Sequence, residues 1–333
     1  MRQLTYTRAR SFEEALLAAS TAGEDARYVA GGTTLYDLMK LGVEQPAHLI
    51  DIAAIEGFDQ VDTTGNALLF GAGALMADVA ENALVRREYP LLTESLSKAA
   101  SQQLRNMASL GGNLLQRTRC QYFRGGAGGI YPCNKREPGS GCAAIGGLDR
   151  SQAVLGASEA CTAVSPGDWP VALTALDAQI ELLGPNGARS IPIGDFYLLP
   201  EAAPHLEFAL AEGEIVTRIA VPKTEAGRRS TYHKVRDRES YAFALASAAV
   251  ALVLDGDRVQ QAHVALGGVA TVPWRAREAE AVLQDRRLTR ERALAAGRAA
   301  FADARPGLHN GFKIELGART VADAIMIAAG GTA

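Results

Sequence analysis

Residues 27–42, RYVAGGTTLYDLMKLG, carry the strongest structural signal in the chain because they join a strand, a glycine turn and a helix. RYVA predicts the strand, GGTT the turn, and LYDLMKLG a helix that ends at a glycine. Before this stretch, residues 3–8 (QLTYTR) predict a strand, and Ser11 with Glu14 predicts a capped helix over SFEEALLAAS. After it, HLIDIAAI predicts a third strand. Residues 1–55 are therefore expected to form a small β-α-β unit.

The glycine pair in this stretch is suited to binding an anion. Glycines let a ligand approach the backbone, the N–H groups of such a turn converge, and the following helix N-terminus adds partial positive charge. Thr33 and Thr34 add two hydroxyl donors. The motif matches neither G-x-G-x-x-G nor G-x-x-x-x-G-K-[ST], so it predicts neither a Rossmann fingerprint nor a P-loop. By itself it is explained more simply as a tight turn.

A second glycine pair lies in ASLGGNLL, residues 108–115, where the sequence is turn-like. Ser109 and Asn113 could act as side-chain donors beside the backbone, so the two pairs could hold two parts of one extended ligand, such as a dinucleotide pyrophosphate. The simpler interpretation is a loop with an Asx turn at Asn113.

The remaining sequence predicts two further units. ALLFGAGA (67–74) predicts a strand, and residues 77–101 a helix interrupted before Pro90. A boundary near Pro222 separates a central α+β unit from a last sheet with three helices. The predicted domains are a first unit, a central unit that contains a cysteine-rich insertion, and a C-terminal unit, at residues 1–55, 56–222 (insertion 117–161) and 223–333.

Composition excludes several classes of function. The chain has 333 residues, more than a single core usually supports, and its net charge of -3 includes no lysine or arginine run. We therefore expect no nucleic-acid partner. Glu13 and Glu14 interrupt any N-terminal apolar core, and no stretch reaches the ~18 apolar residues of a membrane span, so neither a signal peptide nor a span is expected.

The chain has four cysteines, and three of them lie in CQYFRGGAGGIYPCNKREPGSGCAAIGG, residues 120–147. Twelve, eight and eighteen residues separate Cys120, Cys133, Cys142 and Cys161. The absence of a C-x2-C pair argues against structural zinc, whereas iron–sulfur clusters accept irregular spacing on glycine-rich loops. An iron–sulfur cluster, a zinc site and unrelated buried thiols all remain open at this point.

No catalytic residue is predicted, because neither a Ser-His-Asp set nor H-E-x-x-H is present. Asp168 is explained most simply as a turn residue or a helix start. Lys234 alternates with charged neighbours along a predicted strand, which favours a solvated edge. Trp169 and Trp274 are expected to anchor a core or an interface.

Six motifs taken together resemble the FAD-binding medium subunit of the xanthine oxidase family of molybdenum hydroxylases. They are YVAGGTTL (28–35), LRNMASLGGNL (104–114), SPGDWPVALTALDA (165–178), GEIVTRIAVP (213–222), YHKVRDR (232–238) and ALGGVATVPWRA (265–276). The resemblance implies an α+β fold of the PCMH/vanillyl-alcohol-oxidase-like type. In that fold a small N-terminal α/β unit and a central α+β unit share FAD, and a C-terminal sheet-and-helix domain follows.

The cysteine insertion narrows the resemblance to members similar to the aldehyde oxidoreductase FAD-binding subunit and the 4-hydroxybenzoyl-CoA reductase beta subunit. Those members carry a [4Fe-4S] cluster there, which implies Cys120, Cys133, Cys142 and Cys161 as ligands. The resemblance further implies a set of FAD contacts. These are the first glycine segment (Tyr28, Val29, Ala30, Gly31, Gly32, Thr33, Thr34, Leu35), the second cradle (Ser109, Gly112, Asn113), a carboxylate for a flavin-chain hydroxyl (Asp168), an apolar wall (Ile215 or Val216) and a flavin contact (Lys234).

The implied function is electron transfer within a heterotrimer. Electrons from aldehyde oxidation at the molybdenum cofactor of a large subunit would pass through two [2Fe-2S] clusters of a small subunit to FAD and an external acceptor. One alternative runs electrons toward molybdenum, as in the reductase relatives, and another is a non-enzymatic, zinc-stapled interaction subunit. The expected compartment is the cytoplasm, or the periplasm by co-export with a partner that carries a signal.

Overall fold

The computed structural model describes residues 3–125 and 129–330, so part of the glycine run between Cys120 and Cys133 lies outside it. The described residues contain three β-sheets, of three, five and four strands. The family resemblance implied a mixed fold of helices and sheets in three parts. The three sheets and the helices between them confirm the mixed fold.

The N-terminal unit is a parallel three-stranded sheet in the order β1-β3-β2. Ser11 accepts a hydrogen bond from the backbone N–H of Glu14, as the capping motif predicted. Gly42 follows the end of the second helix, and its φ of 71° lies in the left-handed region that is common after a helix. The elements are β1 (Thr5–Arg8), α1 (Phe12–Ala22), β2 (Ala26–Val29), α2 (Leu35–Lys40) and β3 (His48–Asp51).

The central unit is an antiparallel sheet in the order β4-β5-β8-β6-β7, covered by short helices. Its elements are β4 (Val61–Asp62), β5 (Ala67–Gly71), α3 (Met76–Glu81), α4 (Ala83–Glu88), α5 (Pro90–Ser97), α6 (Gln102–Arg105), α7 (Leu110–Leu114), α8 (Trp169–Ala175), β6 (Gln179–Gly184), β7 (Gly187–Pro192), α9 (Ile193–Phe196) and β8 (Ile215–Pro222).

The predicted helix over residues 77–101 is divided once more than expected. Pro90 begins α5, as proline favours the first helical position. Asn82 makes the additional break, because its side chain accepts hydrogen bonds from the N–H groups of Leu84 and Val85 and so caps α4.

The C-terminal unit is an antiparallel sheet in the order β12-β11-β10-β9, packed against helices. Since β8 ends at Pro222, the predicted boundary there lies between strands of two different sheets; the domain limits themselves stay predictions. The elements are β9 (Ser230–Val235), β10 (Ala246–Asp255), β11 (Arg258–Gly267), β12 (Trp274–Arg275), α10 (Arg277–Leu283), α11 (Arg290–Ala299) and α12 (Phe312–Ala328).

Three apolar clusters hold these units. The largest joins the N-terminal and central units around residues such as Phe70 and Trp169, which is fully buried as predicted for a core anchor. The second fills the space between the last sheet and its helices, and the third lies around the four cysteines. In the part of the chain that the structure describes, no helix is both long and apolar enough to cross a membrane.

Lys313, on α12, is a buried cation within this framework. Its side chain is 1% exposed, and its Nζ donates to the carbonyl oxygens of Ser151 and Gly268 at 3.2 and 2.7 Å. Burial, and to a lesser degree the charge of Arg150, lowers the pKa of Lys313 to about 8. The unfolded chain therefore holds this proton more tightly than the folded chain does.

We expect the stability of the protein to rise with pH between about 8 and the ordinary lysine pKa of ~10.5, because only the unfolded state is protonated in that window. Below pH 8 both states are protonated and the cost of burying the charge is fully present. Lys313→Met should remove this rise, which amounts to about 3 kcal/mol at one pKa unit per ~1.4 kcal/mol. Urea denaturation at pH 7, 8, 9 and 10 measures it. If the free energy of unfolding rose with pH by the same amount in both proteins, the result would contradict the lowered pKa of Lys313.

Candidate functional site

The two glycine segments meet at Gly31. A Cβ atom at this position would lie 1.7 Å from the carbonyl oxygen of Met107 and 3.1 Å from the Cα of Ala108. No side chain fits there, so the backbone of the first segment rests directly on the residues that lead into the second. The two segments thus form one junction.

Gly32 gives the first segment its shape. Its φ is +69°, in the left-handed region that residues with side chains rarely adopt. The turn continues through Thr33 and Thr34 into α2, and the Thr34 side chain makes no capping hydrogen bond. Within residues 3–125 and 129–330, no hydrogen bond involves either threonine hydroxyl, which leaves both available to a ligand.

The second segment is a helix, so the predictions of a turn and of an Asx turn at Asn113 are wrong. Ser109 is the N-cap of α7 and accepts a hydrogen bond from the N–H of Gly112. Gly111 packs so closely on Ala72 that a Cβ would lie 2.8 Å from the Cβ of Ala72. The Oδ1 atom of Asn113 is buried and has no hydrogen-bond partner among the described residues. A buried amide oxygen of this kind is costly unless a ligand or water satisfies it.

Two cavities open from the junction. One, a space of about 740 Å³ that includes open solvent, is lined by all of the first segment and by Gly112 and the apolar Leu38. The other, a space of about 1050 Å³ that also includes open solvent, is lined by the polar side chains of Asp59, Asp78 and Asn106. The residues common to both are Ala30, Gly31 and Ser109.

This arrangement fits FAD. A dinucleotide has two bulky ends joined by a pyrophosphate, and here two cavities are joined at a side-chain-free junction. The residues of the first segment (Tyr28, Val29, Ala30, Gly31, Gly32, Thr33, Thr34 and Leu35) all line the first cavity, together with Ser109 and Gly112.

Other predicted FAD contacts lie elsewhere. Ile215 and Val216 are buried in the main core, on β8, and line neither cavity. The hydroxyl of Tyr28 donates to the carbonyl oxygen of Gly213, 3.0 Å away and just before β8. Burial raises the pKa of this hydroxyl to about 12. Tyr28 therefore fixes the first cavity to the loop that precedes the predicted apolar wall.

Asp168 and Lys234 form a buried ion pair, with Nζ and Oδ2 2.8 Å apart and side chains 6% and 1% exposed. Tyr232 donates its hydroxyl to the other carboxylate oxygen at 2.5 Å. The prediction that Lys234 lies on a solvated edge is wrong. β9 is at the edge of its sheet, but α5 and α12 pack against it. Asp168 stands at the N-cap position of α8 without capping it, because its carboxylate points to β9 instead.

The structure gathers the four cysteines in one apolar cluster with Leu38, Tyr122 and Phe123. All four are free thiols, and Cys133 and Cys142 face each other in an isolated antiparallel bridge. Burial raises the pKa of Cys120, and that of Cys161 to about 11.

No group of three or more His, Cys, Asp or Glu side chains in the described residues has the arrangement of a metal site. The predicted [4Fe-4S] ligands are thus neighbours, and their metal binding is unconfirmed. A thiolate donor set is nevertheless what soft metals and iron–sulfur clusters select, and the apolar surroundings suit a buried inorganic group.

The insertion is tied to α2, the helix that follows the first glycine segment. Asp37 accepts hydrogen bonds from Arg119 at 2.8 Å and from Arg124 at 2.7 Å, one on each side of Cys120. Desolvation raises the pKa of Asp37, whereas the ion pairs with Arg124 and Arg119 lower it. The ion pairs have the larger combined effect, so the pKa lies below its ordinary value. Leu38 contacts the cysteine cluster and also lines the first cavity. The predicted flavin and cluster sites therefore share one helix.

A third cavity, a space of about 890 Å³ that includes open solvent, is lined by both Cys120 and Asp168. Gln152 and Arg119 also line it. Sequence reasoning missed Asp37, Arg119 and Gln152, since none belongs to a motif. Arg119 and Arg124 lie one and four residues from Cys120, and this closeness to a predicted ligand was the only sequence feature that pointed to either arginine.

Models of protein families match nearly the whole chain. Residues 2–224 match the FAD binding domain in molybdopterin dehydrogenase, and residues 230–331 match the CO dehydrogenase flavoprotein C-terminal domain. The two matches meet between β8 and β9.

Curated relatives agree with these matches. The aldehyde oxidoreductase FAD-binding subunit PaoB of Escherichia coli (strain K12) is 45% identical over 98% of both chains. The glyceraldehyde dehydrogenase medium chain of Sulfolobus acidocaldarius is 29% identical, over 84% of this chain and 80% of its own length. Among solved structures, carbon monoxide dehydrogenase from Hydrogenophaga pseudoflava aligns with a TM-score of 0.77 and 27% identity, covering 100% of this chain and 99% of the other.

Proposed function

This chain belongs to the FAD-binding medium subunits of the xanthine oxidase family of molybdenum hydroxylases, and from that membership we propose that it passes electrons through FAD and a [4Fe-4S] cluster. The electrons come from the oxidation of an aldehyde to a carboxylate at the molybdenum cofactor of a large partner subunit. Two [2Fe-2S] clusters of a small subunit carry them here, and an external acceptor removes them. The 45% identity to an aldehyde oxidoreductase subunit supports this substrate class.

The observation that carries the FAD part of the proposal is the junction at Gly31. A pyrophosphate passing over it would meet backbone rather than side chains, with the Thr33 and Thr34 hydroxyls beside it. Asn113 lines neither of the two cavities, so its place among the FAD contacts rests on the family resemblance alone. FAD supplies the electron-carrying chemistry when it is bound, and the chain holds and orients it.

The cluster part of the proposal is supported by four free thiols in one apolar cluster. Cys120, Cys133, Cys142 and Cys161 would be the ligands. Burial raises the pKa of Cys120 and Cys161, so loading would release protons, because the ligands must be thiolates. A single zinc ion at the same thiols is the competing assignment, and metal analysis separates the two.

Two contacts favour exchange of electrons between the two cofactors within this chain. Leu38 lies between the cysteine cluster and the first cavity, and the third cavity lies between Cys120 and Asp168. The chain itself would bind and orient, and catalysis of substrate oxidation would belong to the large subunit, in whose company this chain would lie in the cytoplasm or, by co-export, in the periplasm.

The family membership contradicts the alternative of a non-enzymatic subunit, since the family consists of oxidoreductase subunits. The reductive direction of the 4-hydroxybenzoyl-CoA reductase relatives uses the same two cofactors. We prefer the oxidative direction because of the similarity to an aldehyde oxidoreductase.

The test is to purify the chain anaerobically from cells with intact iron–sulfur assembly and to analyse its cofactors. We expect about one FAD, four iron and four sulfide per chain, with flavin bands above a broad iron–sulfur absorbance. Zinc in place of iron would overturn the cluster proposal alone. Absence of flavin from a folded chain would overturn the FAD proposal. A reduction potential of the cluster far below that of the flavin would favour the reductive direction.

A further inference from the structure

The sulfur of Cys120 differs from the other cysteine sulfurs in its hydrogen bonds. The side-chain amide Nε2 of Gln152 donates to Cys120 Sγ across 3.6 Å, and the backbone N–H groups of Tyr122 and Phe123 also donate to it. Within residues 3–125 and 129–330, Gln152 is the only side chain that donates to a cysteine sulfur. At Cys161 the sulfur accepts from the backbone N–H of Ala163 at 3.4 Å.

Gln152 is held firmly in this orientation. It is 1% exposed, and its Oε1 accepts from the hydroxyl of Thr162 at 3.5 Å. Its backbone N–H donates to the carbonyl oxygen of Asp149 at 2.8 Å. Asn310 donates to the carbonyl oxygens of Gln152 and Ala153, at 3.4 and 3.1 Å. A thiolate only accepts hydrogen bonds, so a deprotonated Cys120 favours the amide orientation that presents NH2 to the sulfur.

Hydrogen bonds to the sulfur ligands of a cluster stabilise negative charge on the sulfur. Reduction by one electron adds one negative charge and breaks no bond, so a donor at the sulfur favours the reduced form and raises the reduction potential. The burial of the amide strengthens this effect, because no water competes for the sulfur. Gln152 also lines the third cavity, together with Cys120 and Asp168.

We propose that Gln152 is a positioning residue that raises the reduction potential of the iron–sulfur cluster through Cys120. This inference rests on the proposed function, because it needs the cluster. The buried amide of Gln152 would then help to determine whether the cluster relays electrons or stores them. Cys120 is then the ligand whose charge the protein controls most closely.

The test is a redox titration of the holoenzyme complex, monitored by the electron paramagnetic resonance signal of the reduced cluster. Gln152→Met keeps the length of the side chain and removes the donor, and we expect a more negative potential with unchanged iron and sulfide. Thr162→Val is the matched control: it removes the contact at the other end of the amide and leaves the donor at the sulfur in place. We expect its potential to stay close to that of the wild type.

An unchanged potential in an iron-replete Gln152→Met protein would overturn the inference, as would an equal shift in Thr162→Val. If Gln152→Met fails to retain iron, Gln152→Leu replaces it, because it also removes the donor, adds no charge and carries the same expectation. A wild-type chain without iron would overturn the proposed function itself. An iron-containing wild type with an unmoved potential in the variants would overturn only the role of Gln152.

Discussion

Gly31→Ala is expected to weaken FAD binding by roughly tenfold to hundredfold in a chain that still folds. The new methyl group would lie 1.7 Å from the carbonyl oxygen of Met107, which is backbone and cannot rotate away. The two glycine segments must then separate, and the pyrophosphate would lose the junction at which we propose it is held. Overpacking of this kind costs about 1–3 kcal/mol or more, equivalent to roughly a tenfold to hundredfold loss of affinity.

Flavin content per chain after purification measures this effect, and circular dichroism reports whether the variant folds. The matched control is Gly65→Ala. An added Cβ at Gly65 meets no atom within 4 Å, so this variant should retain full flavin. Stoichiometric FAD in Gly31→Ala would contradict the placement of the pyrophosphate at the junction.

Cys133→Ser is expected to remove the iron–sulfur cluster and to leave FAD in place. Serine is a poor ligand for iron, and the buried Cys133 lines neither of the cavities that meet at Gly31. Iron and sulfide should fall from about four per chain to near zero while flavin stays near one. The broad visible absorbance should disappear and the flavin bands should become sharper.

Ser140→Ala is the matched control for this variant. Ser140 accepts a hydrogen bond from the backbone N–H of Cys133 at 3.0 Å, so its removal perturbs the same loop without removing a thiol. Iron should be retained. Loss of FAD together with iron in Cys133→Ser would show that the insertion forms part of the flavin site, with Leu38 the residue that links them.

The sequence predicted the parts of the fold that depend on local patterns. The strand, turn and helix of residues 27–42 were confirmed because glycine and capping signals act within a few residues. The helix at Leu110–Leu114 was missed because two adjacent glycines argue against a helix. The Ser109 cap and the close packing of Gly111 on Ala72 outweigh that propensity, and the second of these is a contact between distant parts of the chain.

The site could be predicted only in part for the same reason, because several of its contacts join residues that are distant in the sequence. The alternation of charges around Lys234 could not reveal that Asp168, sixty-six residues away, would hold its ammonium in the interior. The four cysteines lie in one apolar cluster, while their role as cluster ligands stays a prediction; Gln152 has no motif and could be found only from its contact with Cys120. The sequence pattern does not reveal which distant residue a single polar side chain will contact.

The contact between Gly31 and Met107 has a consequence for the lifetime of the protein in the cell. The two sides of the junction are far apart in the sequence, so the proposed binding site would exist only after the N-terminal and central units have packed together. A ligand that binds only the folded chain stabilises it by mass action, by about 2.7 kcal/mol at a hundredfold excess over its Kd. Chains made during a shortage of riboflavin would therefore open more often and be degraded sooner. The supply of the vitamin would then set the abundance of the subunit as well as its redox competence.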